Sequence, residues 1–284
     1  MKDHRPPPEV LRAFGATAEP VRLSGGKGGT WRAGDVVVKP AEGDDEVRWR
    51  GEVLDALPES PLFRIARPIR AANGDWVAGG WEATRAVAGQ PDQQRVDDVI
   101  RTGSAFHEAV AHLPRPGFLR TRTDPWAYGE RLAFGDSPAP GEPPGTSTDP
   151  GGPLGFSAHL GEPLLARLLA VRRPIDLAEQ VVHGDLLGNV LFADGLPPAV
   201  IDWAAYWRPP GWATAVAVVD AMVWHGADLT TAQRWSHLPE WGQLLVRATI
   251  FRLATWAAAG WTHEPREAYE PVVHEVIAYA AHTV

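Results

Sequence analysis

Short runs of alternating hydrophobic and polar positions fill the first third of the chain. Residues 20–40 predict three strands, joined first by a glycine-rich turn and then by a tight turn, with Val36–Val38 leading to Lys39. Apolar residues at helical spacing predict a helix from Asp44 to Leu57. Asn73-Gly74 predicts a further hairpin between residues 64 and 82. The first 84 residues therefore predict five short strands and one helix, which lies between the third and fourth strands.

Helical spacing dominates the remainder of the chain. The boundary between the two patterns falls near Arg85, so we expect a small α+β part over residues 1–84 and a larger helical part over 85–284. The predicted helices of the second part are Val96–Leu113, Leu160–Leu169, Trp212–Trp224, Trp241–Trp256 and Glu267–Ala281. Residues 135–155 are rich in glycine and proline and predict a surface loop, whereas 181–201 predicts short strands around turns.

Composition excludes several classes of protein. The chain has 27 basic and 35 acidic residues, a net charge of −8, which argues against a protein that coats nucleic acid. Cysteine is absent, which excludes disulfides, a thiolate nucleophile and cysteine-based zinc sites. The apolar run Trp212–Trp224 is too short to span a bilayer and contains Asp220. The first residues lack the apolar core of a secretory signal, so we expect a cytoplasmic protein without membrane partners.

Two polar clusters stand at the ends of predicted short strands. The first is His183-Gly184-Asp185, followed by Asn189, and the second is Asp202 after Val200-Ile201. Apolar strand residues flank both clusters, so two carboxylates and a carboxamide are expected to converge at one edge. Oxygen ligands in that number suit Mg²⁺, which completes its coordination shell with phosphate and water.

With these motifs the chain resembles the aminoglycoside phosphotransferase and choline kinase family. That family carries a His-Gly-Asp-Leu…Asn loop and then an apolar-Asp-aromatic motif, which here are residues 183–189 and Ile201-Asp202-Trp203. The resemblance covers most of the chain in the order of its elements. It implies an α+β, two-lobed protein-kinase-like fold, with a small lobe containing a five-stranded antiparallel sheet and a larger, mainly helical lobe.

The resemblance also implies a role for individual residues. Asp185 would take the proton of the acceptor hydroxyl, Asn189 and Asp202 would hold Mg²⁺, and Lys39 would pair with phosphates of ATP. A glutamate on the following helix would anchor Lys39, and we expect Glu52, with Glu46 as the alternative. The glycine-rich loop would cover the phosphates because backbone amides can approach closely there; its residues are Ser24, Gly25, Gly26, Gly28 and Gly29.

Each of these residues also has a purely structural interpretation. Asp185 could cap a turn, Asp202 could form a structural salt bridge, and Lys39 could simply extend from a strand end. Lysine is scarce, however: Lys39 is one of only three, beside 24 arginines, so a lysine at this place is less expected to be incidental. The sequence also departs from the family pattern, because Asn189 comes four positions after Asp185, not the usual five. A shorter loop moves the amide by up to about 3.5 Å, and Gly188 would permit a tighter path.

Together these observations predict a small-molecule kinase. It would use ATP and Mg²⁺ to phosphorylate a hydroxyl of an amino sugar, an aminoglycoside, an amino alcohol or a similar compound. Two alternatives stay open: a protein-directed kinase or nucleotidyl transferase on the same fold, and a non-catalytic nucleotide-binding module. Acceptor identity and oligomeric state cannot be read from the sequence.

Overall fold

The structure, a computed structural model, describes residues 5–23, 29–136, 163–259 and 266–282. The helices in these residues are α1 (Pro8–Ala13), α2 (Asp44–Ala56), α3 (Val96–Val110), α4 (Pro125–Phe134), α5 (Pro163–Val171), α6 (Pro210–Trp224), α7 (Leu229–Gln233), α8 (Trp241–Ala259) and α9 (Arg266–His282). The strands are β1 (Val21–Arg22), β2 (Trp31–Ala33), β3 (Val36–Pro40), β4 (Arg64–Ile65), β5 (Trp81–Arg85), β6 (Gln90–Pro91), β7 (Gln180–His183), β8 (Val190–Phe192), β9 (Ala199–Val200) and β10 (Ala205–Arg208).

The predicted helices α2, α3, α6, α8 and α9 are confirmed to within a few residues at each end. Helix α5 occupies the described part of the predicted 160–169 helix, and the predicted loop over 135–155 lies, from residue 137 on, outside the described residues. Helix α4 was not predicted. Asp124 caps its first turn and Pro125 opens it, which are start signals in the sequence, but Gly129 interrupts the helical pattern.

The chain divides into two compact units. The first contains the residues up to Pro91 together with 189–203, and the second contains 92–188 and the residues from Ala204 on. The first unit therefore extends past the boundary expected near Arg85. It also includes the β8–β9 hairpin, which lies about 100 positions later in the chain. Among the described residues no helix is long and apolar enough to cross a membrane.

Two sheets build the first unit. One is antiparallel in the order β1-β2-β3-β5, and its apolar face packs on α1 through Val10 and Phe14, with Val38 and Ala83 in the same core. The predicted fourth strand does not join it, so the sheet has four strands among the described residues and not the expected five. Instead, β4 lies in a second sheet of order β4-β9-β8-β6, in which it pairs in parallel with β9. The reason is a set of long-range bonds: the backbone N–H of Arg64 donates to Pro198 and its side chain donates to Pro197, at 2.7 and 2.8 Å.

Helix α8 is the centre of the second unit. It is buried over most of its length and contacts α4, α5, α6 and α9, as expected of a helix that is apolar on all sides. Gly129 allows α4 to approach closely, because a Cβ there would lie only 2.6 Å from the carbonyl oxygen of Phe251. A buried ion cluster holds the edge strand β10 of the same unit: Arg208 bonds Glu130 and Asp136, and lies 3.0 Å from Glu179.

The antiparallel strand pair β7–β10 is bonded to α3 through two buried histidines, His183 on β7 and His107 on α3. The backbone N–H of His183 donates to Nε2 of His107 at 2.9 Å, and the N–H of Asp185 donates to Nδ1 of His183 at 3.2 Å. Burial, with a smaller contribution from His183, lowers the pKa of His107 to about 3. His107 thus remains neutral in the folded protein well below the pH at which an unfolded histidine gains a proton.

This difference predicts a pH-dependent stability that His107→Gln reduces. Between pH 6.5 and about 3 only the unfolded state protonates this histidine, so the free energy of unfolding falls as pH falls, by up to about 1.4 kcal/mol per pH unit. Glutamine can still accept the bond from His183 but cannot titrate. Urea unfolding from pH 6.5 to 4.5 should therefore give a shallower slope for the variant than for the wild type. The control, His112→Gln at an exposed position of the same segment, should keep the wild-type slope; equal slopes for all three proteins would contradict the account.

Candidate functional site

Lys39 lies at the end of β3 between two carboxylates. Antiparallel register places it opposite Glu82 on β5, and its Nζ lies 3.6 Å from Oε1 of Glu82 and bonds Oδ1 of Asp202. The Lys39 side chain is about a quarter exposed and that of Glu82 only 8%. Burial works against the charged amine, but Glu82 and Asp202 outweigh it and raise the pKa of Lys39 above its ordinary value of 10.5. Lys39 is therefore a fixed positive charge.

Arg50 on α2 holds Glu82, the carboxylate that faces Lys39. One of its terminal nitrogens lies 2.7 and 2.6 Å from the two oxygens of Glu82, and the other lies 3.5 Å from Glu46. The guanidinium also donates to the backbone oxygen of Trp203 at 3.3 Å, in the turn that carries Asp202. The result is a row of alternating charges, Glu46–Arg50–Glu82–Lys39–Asp202, which we call the ion-pair chain.

The expected pairing of Glu52 with Lys39 is replaced by other contacts. Glu52 accepts bonds from Arg70 at 2.9 and 3.0 Å and from Nε1 of Trp76 at 2.9 Å, with about 60% of its side chain exposed. The bond from Trp76 contributes most to lowering the pKa of Glu52, followed by that from Arg70. The physical reason is helical periodicity: Glu52 is two residues past Arg50, about 200° around α2, and so faces away from Lys39. The alternative, Glu46, pairs with Arg50 rather than with Lys39.

Asn189 and Asp202 are brought to the same end of the β8–β9 hairpin. Val190 pairs with Val200, and the N–H of Ile201 donates to the backbone oxygen of Asn189 at 3.0 Å, so Asp202 follows immediately. Asp202 has a φ of 50°, in the left-handed region, which turns its side chain out of the strand direction. Within the described ranges no group of three or more His, Cys, Asp and Glu could hold a metal. One carboxylate and one amide are nevertheless the sparse oxygen set that suits Mg²⁺ bound together with phosphate.

Most of the predicted phosphate loop lies outside the described residues, and only its last residue is within them. Ser24, Gly25, Gly26 and Gly28 lie outside the described residues. Gly29 is described, and just beside it the N–H of Leu23 donates to the oxygen of Thr30 at 2.9 Å, which closes the base of the β1–β2 hairpin. The predicted glycine-rich turn therefore does connect two paired strands next to the strand that carries Lys39.

Asp185 belongs to the second unit, where it follows β7. Its Oδ1 accepts a bond from Arg252 on α8 at 2.6 Å. The same guanidinium grips the buried Asp220 on α6, with Nε 2.8 Å from Oδ1 and a second bond to Oδ2. Burial opposes the charge of Arg252, but the two aspartates outweigh it and raise its pKa well above the ordinary range. Arg252 thus fixes the position of Asp185 while 44% of the aspartate side chain stays exposed.

A cavity of about 510 Å³ opens beside Asp185 within the second unit. Asp185, Asp220 and Arg252 provide its carboxylate and guanidinium groups, and His225 also lines it. Most of the remaining wall is aromatic: Trp126, Trp224, Trp256 and Tyr269. The rings of Trp224 and Tyr269 meet edge to face with centroids 5.7 Å apart. The cavity therefore combines an aspartate with large flat surfaces.

Sequence analysis missed four charged residues of these sites: Arg50, Glu82, Asp220 and Arg252. Glu82 had one readable signal, since it is a charged residue between the apolar Trp81 and Ala83 at the end of a predicted strand. Asp220 had a similar signal, a carboxylate within the most apolar run of the chain. The two arginines carry a weaker signal, because Glu82 and Asp220 each lie 32 positions from the arginine that they bond, although Arg50 also has Glu46 four positions before it.

Comparisons with known proteins give similarity of structure only. No family model and no curated protein matches this sequence. Among solved structures, an aminoglycoside phosphotransferase from Alicyclobacillus acidocaldarius is 17% identical with a TM-score of 0.59, covering 98% of this chain and 95% of its own. A spectinomycin phosphotransferase, solved with ADP and spectinomycin, is 14% identical with a TM-score of 0.58, covering 97% and 96%.

A choline kinase from Streptococcus pneumoniae extends this likeness to a second group of kinases. It is 10% identical with a TM-score of 0.57, covering 95% of this chain and 97% of its own. Identities this low establish the fold alone. The chain therefore has the α+β, protein-kinase-like fold of aminoglycoside phosphotransferases and choline kinases, with a small antiparallel sheet in one unit and a mainly helical second unit.

Proposed function

We propose that this protein is an ATP- and Mg²⁺-dependent phosphotransferase that acts on a hydroxyl group of a small molecule. The observation that carries the proposal is the ion-pair chain, which fixes a positively charged Lys39 beside Asp202 at the end of the β8–β9 hairpin. Phosphoryl transfer requires mainly that the protein position the reactants and neutralise the charge of the phosphates, and a fixed lysine beside a carboxylate suits both requirements. The kinase-like fold supports the same conclusion, and an ATP-dependent reaction agrees with the cytoplasmic location expected from the sequence.

In this proposal the first unit binds the nucleotide. Lys39 exchanges part of its contact with Asp202 for oxygens of the ATP phosphates, while Glu82 and Arg50 keep it in place. Asp202 and Asn189 would hold Mg²⁺, which when bound neutralises charge on the phosphates. The loop residues Ser24, Gly25, Gly26, Gly28 and Gly29 would cover the phosphates with backbone N–H groups.

Asp185 acts as the base in the same proposal. The acceptor oxygen forms a bond to the γ-phosphorus, the bond from that phosphorus to the bridging oxygen of ADP breaks, and the hydroxyl proton passes to the Asp185 carboxylate. Arg252 holds one carboxylate oxygen at 2.6 Å, while 44% of the aspartate side chain stays exposed. A base positioned in this way typically contributes about 10²–10⁴ in rate.

The first test compares stabilisation by ATP in the wild type and in Asp202→Asn. A ligand at 100 times its dissociation constant should stabilise the wild type by about 2.7 kcal/mol, and more with Mg²⁺ than without. Asp202→Asn should lose the Mg²⁺-dependent part, since an amide is a weaker ligand than a carboxylate. Asp194→Asn, an exposed aspartate of the same hairpin, is the matched control and should respond as the wild type does. A wild type that does not respond to ATP at any Mg²⁺ concentration would refute the proposal.

The second test concerns Arg50, which acts on the nucleotide through Glu82 and Lys39. Arg50→Gln should weaken ATP·Mg²⁺ binding about 10–100-fold, because a buried charge-assisted bond contributes about 1.5–3 kcal/mol. Arg50→Lys restores the charge and should recover part of the loss. Arg48→Gln, on the same helix but paired with the exposed Asp44 and with Asp75, is the control and should leave ATP affinity unchanged. Equal ATP affinity for Arg50→Gln and the wild type would show that the lysine needs no support from α2.

A further inference from the structure

The aromatic cavity of the second unit has an unusual balance of charge. Two carboxylates, Asp185 and Asp220, contribute to it, but Arg252 lies between them and bonds both. The three groups together carry a net charge of −1, and the positive member is only 13% exposed. An ammonium group that displaced Arg252 from either aspartate would leave a buried guanidinium without its partner, which is strongly unfavourable. One oxygen of Asp185 and both oxygens of Asp220 are thus already bonded by a cation that belongs to the protein.

The remaining surface of the cavity favours a flat apolar ligand. Trp126, Trp224 and Trp256 contribute three indole rings, and Tyr269 adds a phenol ring. Trp224 is 52% exposed, and few other large hydrophobic side chains of the described residues are exposed. An exposed aromatic group at the mouth of an apolar cavity is typical of a binding site for an organic ligand. Its volume of about 510 Å³ lies within the range of cavities that bind small molecules.

We propose that the acceptor is an uncharged alcohol with a flat, apolar body, and not a polycationic amino sugar. The body would lie against the indole rings and its hydroxyl would reach Asp185. This inference rests on the proposed function, since it treats the cavity as the acceptor site. Aromatic faces also attract cations, so the discriminating feature is Arg252, which places a positive charge of the protein beside the reacting group.

The experiment uses a matched pair of probes, naphthylethanol and naphthylethylammonium, which share their rings and differ in the terminal group. Calorimetric titration of the whole protein should show the alcohol binding at least tenfold more tightly than the ammonium compound. Arg252→Gln makes the charge of the cavity −2 and should abolish or reverse that preference. The double variant Arg252→Gln/Asp220→Asn also removes the positive charge, but without leaving a buried, unsatisfied carboxylate at position 220, and it should lose the preference as the single variant does.

Two further variants test the place of binding. Trp224→Ala should weaken both probes at least tenfold, whereas Trp207→Ala, which changes a tryptophan on β10 that lines a separate cavity, should change neither. Tighter binding of the ammonium compound, a preference that ignores Arg252, or affinity that ignores Trp224 would each overturn the inference. If the inference is overturned but ATP·Mg²⁺ still stabilises the protein, the proposed phosphotransferase function is retained and only the proposed acceptor class is wrong. If the alcohol binds but ATP·Mg²⁺ does not, the acceptor role falls together with the proposed function.

Discussion

A single ionic arrangement, the contact of Lys39 with Glu82 and Asp202, governs the chemistry available to the first unit. A lysine that is three-quarters buried stays charged only if nearby carboxylates compensate for lost hydration. Here that compensation comes from a strand neighbour and from a turn about 160 positions later in the chain. The sheet contributes Lys39 and Glu82, helix α2 contributes the supporting pair of Arg50 and Glu46, and the β8–β9 hairpin contributes Asp202. The position of the amine therefore depends on the folding of the whole unit.

The way in which the lysine is supported is particular to this chain. A direct bond from a helix glutamate was expected, but the helix contributes Arg50, and the carboxylate comes from the strand beside Lys39. The alternation of signs compensates for this exchange, because Arg50 holds Glu82 and Glu82 holds Lys39. A second arginine, Arg252, has a comparable position in the second unit, where it joins Asp185 to Asp220. In both places an arginine bonds two carboxylates at once and thereby fixes the position of one that the proposed reaction needs.

The elements that could be predicted from the sequence are those that depend on local patterns. The β-branched run before Lys39 and the helical spacing of α2, α3, α6, α8 and α9 depend on neighbours within a few positions, and those elements were found. The kinase-like fold was expected from the family resemblance carried by the residues around Asp185 and Asp202. The parallel pairing of β4 with β9 was missed because it joins residues about 135 positions apart. Glu82 and Arg50 were missed for the same reason. The strand register and the face of the helix on which a residue lies determine the ion partners, and neither can be derived from the distance in sequence to Lys39.

The most direct measurement of the central claim is the acylation rate of Lys39, followed by mass spectrometry in a chain with only three lysines. The reagent attacks the neutral amine, so burial and a raised pKa should both slow the reaction. We expect Lys39 to react at least tenfold more slowly in the folded protein than in urea, more slowly still with ATP·Mg²⁺, and faster in Glu82→Gln. Equal rates in the folded and unfolded protein, with no effect of ATP·Mg²⁺, would contradict the account of Lys39 as a fixed, phosphate-binding charge.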